Sequence, residues 1–236
     1  MSTSAKEIQA DLKRLSNPKD AEFLQRFFKT GEGQYGYGDR FRGIRVPASR
    51  DLVRRHPDAT LEIAEELLAS DFHEDRLVAL MFMVRLYKHG DASQRAAVYT
   101  SYLASTARVN NWDLVDSSAE WIVGWHLMDR SRKPLHRLAR SEDLWERRIA
   151  ILSTFYFIKH DQFDETFAIA EQLLSDREDL IHKAVGWMLR EVANRDGEAA
   201  RQFLRRHYSK MPRTMLRYAI EKFPEVERQK YLTGTA

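Results

Sequence analysis

A chain of 236 residues, 43% hydrophobic and 31% charged, can bury a sizeable core as one large domain or two small ones. It has no cysteine, which excludes disulfides and thiolate metal sites and fits a reducing cytoplasm. Net charge is +3 and the isoelectric point about 9.0, a slight bias toward an anionic partner. No window approaches a membrane span, and the polar start from Met1 to Glu7 lacks the apolar core of a signal peptide.

Helical periodicity dominates, and β-strand alternation is hard to find. A helical segment carrying Phe23, Phe27 and Phe28 comes first, and an irregular stretch from about Gly31 to Pro47 follows. Within that stretch, Gly31-Glu-Gly33-Gln-Tyr-Gly36 matches the dinucleotide fingerprint GxGxxG, but it follows a helix rather than a strand and has no βαβ unit around it. It reads as a flexible loop whose glycines allow positive φ. Tyr35, Tyr37, Arg40, Arg42 and Arg45 stand within reach of a phosphate backbone.

Further on, amphipathic helices such as Leu61–Ala69 alternate with more apolar ones such as Leu77–Tyr87. A basic residue shortly before an alanine recurs at Arg76 and Ala79, Arg148 and Ala150, Lys183 and Ala184, and Arg217 and Ala219, with Ala119 filling the remaining place. Successive alanines are roughly 31 to 40 residues apart, the length of a two-helix solenoid unit. Small alanines let paired helices approach closely. The expected fold is all-α: a curved right-handed solenoid of degenerate HEAT-like helical repeats. It is expected to form one domain, with N-terminal helices and the glycine-rich loop to about residue 50 and repeats from about 51 to 232.

The stretch Val-Asn-Asn-Trp-Asp-Leu-Val-Asp-Ser holds Trp112 and, one turn later, Asp116. Asn110 or Asn111 reads as the N-cap of a helix that continues through Val115, Ala119, Ile122 and Val123. Asp116 is then a carboxylate on the side that should be apolar, while Asp113, Ser117 and Glu120 take the polar side. Burying a lone charge is expensive, so Asp116 must be paired or useful. An ionised carboxylate beside an indole suits a cation.

Two basic series follow. Arg130, Arg132, Lys133, Arg137 and Arg140 crowd one connection; Arg201, Arg205, Arg206, Lys210, Arg213 and Arg217 form the other. Each fits either a solvated helical surface or phosphate contacts. Between them, the helix Leu180–Ala193 turns Val185, Met188, Leu189 and Val192 inward and clusters Lys183, Trp187 and Arg190 elsewhere, as a ligand face or as an inter-repeat seam. No histidine pair has metal-ligand spacing, and His126 and His182 read as surface or helix-terminal residues. There is no GxSxG elbow, and no second carboxylate accompanies Asp116.

These residues together resemble the AlkD-like DNA alkylation-repair glycosylases, which are built of HEAT-like repeats. The likeness is carried by Phe-Leu-Gln-Arg-Phe-Phe-Lys ending at Lys29, Gly43-Ile-Arg-Val-Pro47, Asn111-Trp112-Asp-Leu-Val-Asp116-Ser, Leu144-Trp-Glu-Arg-Arg148-Ile-Ala-Ile and Lys183-Ala-Val-Gly-Trp187-Met-Leu-Arg-Glu191. These segments span most of the chain in matching order, and the last is the most specific.

The resemblance implies that Asp116 is the catalytic carboxylate and that Trp112 and Trp187 contact the deoxyribose of the damaged nucleotide. Arg148, with Lys183, Arg190 and Arg45, falls on the DNA-binding side. Phe27 stands where the family has an aromatic near the lesion, often tyrosine, and Val46 replaces a polar residue expected in the loop. The implied activity is hydrolysis of the N-glycosidic bond of N3- or N7-alkylated purines in double-stranded DNA, in base excision repair, without metal or other cofactor. A wrapping monomer would suffice, in the cytoplasm and, in a bacterium, at the nucleoid. The resemblance also implies that the lesion is held without the usual flipping of the base into a tight pocket. Two other readings stand beside it: a non-catalytic HEAT-like module for damaged or distorted DNA, and a protein–protein scaffold that leaves Asp116 unexplained.

Overall fold

The computed structural model describes residues 3–235; Met1, Ser2 and Ala236, at the ends of the expected domain, lie outside the described residues. Every regular element among the described residues is helical, and an isolated bridge joins Arg40 to Phe72, so the expected all-α class holds. None of these helices is long and apolar enough to cross a membrane. The chain divides into two compact units, one ending at Ser118 and the other starting at Ala119.

In the first unit, α1 (Ala5–Leu15) is capped by Ser4, whose hydroxyl accepts from the Glu7 amide, and it buries Ile8 and Leu12. α2 (Pro18–Phe27) starts at Asn17 with proline in its first turn and buries none of its side chains. The irregular stretch follows, with Gly33, Gly38 and Gly43 at positive φ. Then come α3 (Val46–Arg55), α4 (Leu61–Leu68), α5 (His73–His89), α6 (Ala92–Ala104) and the short α7 (Trp112–Asp116). α6 opens with a capping box in which Asp91 and Gln94 satisfy each other's backbone amides. α5 is the axis of the unit: it packs on α3, α4, α6 and α7, and Leu77, Val78, Ala79, Leu80, Phe82 and Met83 are all buried. A helix apolar on every side belongs in an interior.

The second unit opens with a π-helical turn at Glu120–Gly124 that runs into α8 (Trp125–Leu127). It continues with α9 (Lys133–Leu138), α10 (Leu144–Ile158), α11 (Asp164–Gln172), α12 (Asp179–Arg195), α13 (Gly197–His207), α14 (Arg213–Ala219) and α15 (Glu225–Thr233). The π turn, α10, α12 and α14 pack one on the next, while α9, α11 and α13 back them. This is the pairing of helices that the alanine spacing predicts. Ala119, Ala150, Ala184 and Ala219 are at most 1% exposed.

The helix expected to run on from Trp112 to Val123 does not do so. α7 ends at Asp116, Ser117 and Ser118 form a turn, and the next turn is π-helical. A π turn holds an extra residue, so the 3.6-residue register is not carried across it. Glu120, expected on the polar side, is therefore 6% exposed, and its Oε1 accepts from Lys159 Nζ at 2.6 Å.

At two crossings the helices are closer than alanine allows. A Cβ on Gly124 would stand 2.2 Å from the Ser153 carbonyl oxygen, and one on Gly186 would stand 2.5 Å from the Met215 carbonyl oxygen and 2.5 Å from Tyr218 Cβ. Backbone cannot yield as a side-chain tip can. Gly186→Val is expected to lower stability by about 1–3 kcal/mol, the usual cost of overpacking, measured as a shift of the denaturant midpoint at constant m.

Candidate active site

Asn111 caps α7: its side-chain oxygen accepts from the Trp112 amide at 2.9 Å, which decides between the two asparagines. Leu114 and Val115 are buried, whereas Trp112 and Asp116 are half-exposed. Asp116 therefore sits at the border of the buried stripe rather than within it, one turn from the indole and open enough to meet a ligand. Beneath the end of α7, the hydroxyl of buried Tyr102 lies 3.0 Å from Ser118 Oγ, which donates to the Leu114 carbonyl at 2.6 Å. Burial pushes the Tyr102 phenol well above its ordinary pKa, and the negative charge of Asp116 pushes in the same direction. Asp116 thus sits above a neutral phenol.

The indole of Trp112 rests on an aromatic stack. Phe28 lies 5.2 Å from it with planes 20° apart, and Phe27, 53% exposed, meets it edge-on at 6.1 Å. Phe28 and Phe41 in turn lie 4.8 and 4.6 Å from the imidazole of His73. The fold thus brings Phe27, Trp112 and Asp116 together within the first unit, and places His73 beneath them.

His73 is buried between two carboxylates. Its Nδ1 donates to Asp39 at 3.1 Å and its Nε2 to Asp113 at 2.8 Å, and both donations require the imidazolium. Burial alone would lower its pKa, but the charges and hydrogen bonds of Asp113 and Asp39 outweigh that and raise it to about 9. Asp39 also accepts from the Arg76 guanidinium and from Asn111 Nδ2 at 3.1 Å. Burial opposes its charge, but the His73 hydrogen bond, the Arg76 charge and the Asn111 hydrogen bond hold its pKa below the ordinary carboxylate value. Asp113, expected on the polar side of its helix, is instead tied inward to His73. One loop, the start of α5 and the start of α7 are joined by a single charged cluster.

Next to it, Glu74 gathers the backbone amides of Arg42, Gly43 and Ile44 at 2.8–3.0 Å. Gly43 has φ 80°, and a Cβ there would lie 2.0 Å from the Asn17 carbonyl oxygen, so only glycine fits this turn. Arg42 clamps Asp75 with two hydrogen bonds of 2.6 and 2.9 Å. Arg45 is drawn to Asp20 at 2.5 Å, over the Phe23 ring.

In the second unit, Trp187 is half-exposed on α12; its Nε1 donates to Glu191 at 2.9 Å and its ring lies 5.9 Å from Phe155. Val185, Met188, Leu189 and Val192 are buried, as their spacing predicts. Lys183 pairs with Asp179 at 2.8 Å, and Arg190 pairs with Glu221. Arg148 is 5% exposed and donates to the Leu180 carbonyl at 2.6 Å. His182, in the first turns of α12, bonds the Asp176 carbonyl. His126, expected at the surface or at a helix end, lies in the last turn of its helix and is buried; burial and the neighbouring Arg130 lower its pKa to about 4.

Much of the arginine in the two basic series is used within the unit. Arg130 donates to the His126 carbonyl and Arg132 to the Met128 carbonyl. Arg201 and Arg205 pair with Glu227 and Glu198, and Arg213 donates to the Leu232 carbonyl.

A family model described as DNA alkylation repair enzyme matches residues 8–223. The chain belongs to this family. Its fold is also that of a solved structure, "Predicted DNA alkylation repair enzyme from Enterococcus faecalis", at a TM-score of 0.67 and 16% identity, covering 89% of this chain and 97% of that one. Among curated proteins no match is found.

The family resemblance drew attention to α7 but not to the charged cluster that positions it. A signal was present: His73-Glu-Asp-Arg76 places four ionisable residues directly before an all-round apolar helix, and all four are buried. Charges there have to find partners in other segments, and those partners are distant in sequence. Because the pKa of His73 is raised above 6.5, its contribution to stability is complete below about pH 6.5 and is lost as the pH rises through about 9. The unsubstituted protein is therefore expected to lose stability, relative to His73→Gln, between these values, by an amount on the order of a few kcal/mol. Denaturant midpoints of the two proteins across that range provide the measurement; a constant difference would mean that His73 is not charged in the folded state.

Proposed function

We propose that this chain is a monofunctional DNA glycosylase that hydrolyses the N-glycosidic bond of cationic N3- and N7-alkylated purines in duplex DNA. The observation that carries this reading is the half-exposed Asp116 carboxylate, one turn from an indole that is braced from below, in a member of the DNA alkylation repair enzyme family.

An alkylated purine already carries positive charge. When the bond from C1′ to the purine nitrogen breaks, its electron pair neutralises the base, and the positive charge passes to the sugar as an oxocarbenium ion. No acid is needed to protonate the leaving group, which fits a site where Asp116 is the working carboxylate and Asp113 is engaged by His73. Asp116 faces the developing charge; it is the last residue of the five-residue α7, a helix too short for its dipole to disfavour the ionised carboxylate strongly. Water then adds to C1′ and releases its proton toward Asp116 or solvent, leaving an abasic site and a neutral base.

One preorganised charged group of this kind contributes roughly 2.7–4 kcal/mol to the transition state. The Trp112 face adds about 0.5–2 kcal/mol of cation–π attraction to the sugar cation. Phe27 offers an exposed ring beside Trp112 but no hydroxyl, so it contacts the lesion by stacking alone.

The purified protein is expected to release 7-methylguanine from methylated duplex DNA without added metal. Asp116→Asn is expected to slow release by about 10²–10³-fold while duplex binding stays within a few-fold. Release no faster than the spontaneous rate overturns the enzyme reading and favours a non-catalytic DNA-binding module. Full activity in Asp116→Asn removes the carboxylate from the mechanism.

A further inference from the structure

Trp187 is not an isolated aromatic on its unit. Trp125 and Tyr156 lie 5.6 Å apart with planes only 8° from parallel. Trp121 meets Tyr156 edge-on at 6.4 Å, and the Lys159 ammonium lies 4.9 Å from the Trp121 ring and 4.2 Å from that of Phe155. Phe155 reaches Trp187 at 5.9 Å. All five rings are half-exposed, and they come from the π turn with α8, from α10 and from α12, which pack in that order. Between these rings the aliphatic side chains Ile122, Val123, Ile149, Ile151, Val185 and Leu189 are buried.

We propose that this strip, from Trp125 through Tyr156, Trp121 and Phe155 to Trp187, is a stacking surface for nucleobases that have left the double helix. The proposal rests on the reading of the protein as a DNA enzyme and extends it beyond Trp187. In a paired duplex only base edges and backbone are on offer; a base that leaves the stack presents a flat π face, for which a row of rings is the matching partner. Lys159, held by Glu120 at 2.6 Å, keeps a cation among the rings, near any phosphate that accompanies the base. A protein partner docking by apolar contact would need accessible aliphatic side chains, and the strip keeps those inside.

The strip is expected to bind a short single-stranded oligodeoxythymidine, quenching tryptophan fluorescence, at low salt and without any lesion. Trp125→Leu and Tyr156→Leu are each expected to weaken that binding by about tenfold, the effect of losing one stacked base. Tyr156→Phe, which keeps the ring, is expected to bind as the unsubstituted protein does. Circular dichroism and melting of each variant report whether it is folded.

The proposal is overturned if the unsubstituted protein neither binds the oligonucleotide nor changes its fluorescence, which would leave a seam between helices or a protein partner. It is also overturned if the folded leucine variants bind normally, or if Tyr156→Phe loses as much as Tyr156→Leu. Purine release is scored separately. Release without oligonucleotide binding sinks the strip alone, and oligonucleotide binding without release sinks the glycosylase reading alone.

Discussion

The first unit depends on one buried cation. His73 lies beneath the aromatic stack with a carboxylate on either side, and each of these carboxylates belongs to a different part of the chain. Asp39 comes from the glycine-rich loop and Asp113 from the first turn of α7, while His73 opens α5. An isolated buried charge would cost several kcal/mol, but a cluster in which every charge meets its opposite is tolerated and geometrically exacting. Removing His73 takes from Asp39 and Asp113 the cation between them and leaves Arg76 to hold Asp39. Such a cluster holds three segments in one arrangement more strictly than apolar packing would.

That arrangement sets the surroundings of Trp112. Phe28 stacks on the indole and lies 4.8 Å from the imidazolium with planes 40° apart, so the half-exposed indole is braced by a ring that the cluster itself holds. Asn111 serves the same end twice, capping α7 with its oxygen and bonding Asp39 with its nitrogen. Under the proposed reaction this rigidity matters, because a charged group stabilises a developing cation well only if it need not reorganise first. The reaction also suits a sparse site: a leaving group that arrives cationic asks for no general acid.

The second unit is built differently. Its helices are brought together by alanine and glycine at the crossings, and its arginines largely tie carbonyls and carboxylates within the unit. Basic residues counted along the sequence therefore overstate the charge offered to a polyanion. The half-exposed residues of the π turn, α10 and α12 are instead rich in aromatic rings, which are indifferent to base sequence and which a count of charges does not reveal.

The sequence by itself determined the all-α class, the paired helices of the second unit, the irregular stretch after α2 and the family. Each of these rests on signals within a turn or two, or on a loose repeat: alanine at about 31 to 40 residues, clustered glycines, an asparagine cap. It also marked Trp112 and Asp116, because a carboxylate one turn from an indole is legible in five residues. Tertiary structure alone decided that Asp113 points to His73, that Glu120 and His126 are buried, and that α7 stops at Asp116. The break comes from a turn and a π-helical register shift that no periodicity announces. The charged cluster unites residues 34 to 72 positions apart. A hydrogen bond between residues so far apart leaves no local pattern, and only folding shows which charges meet.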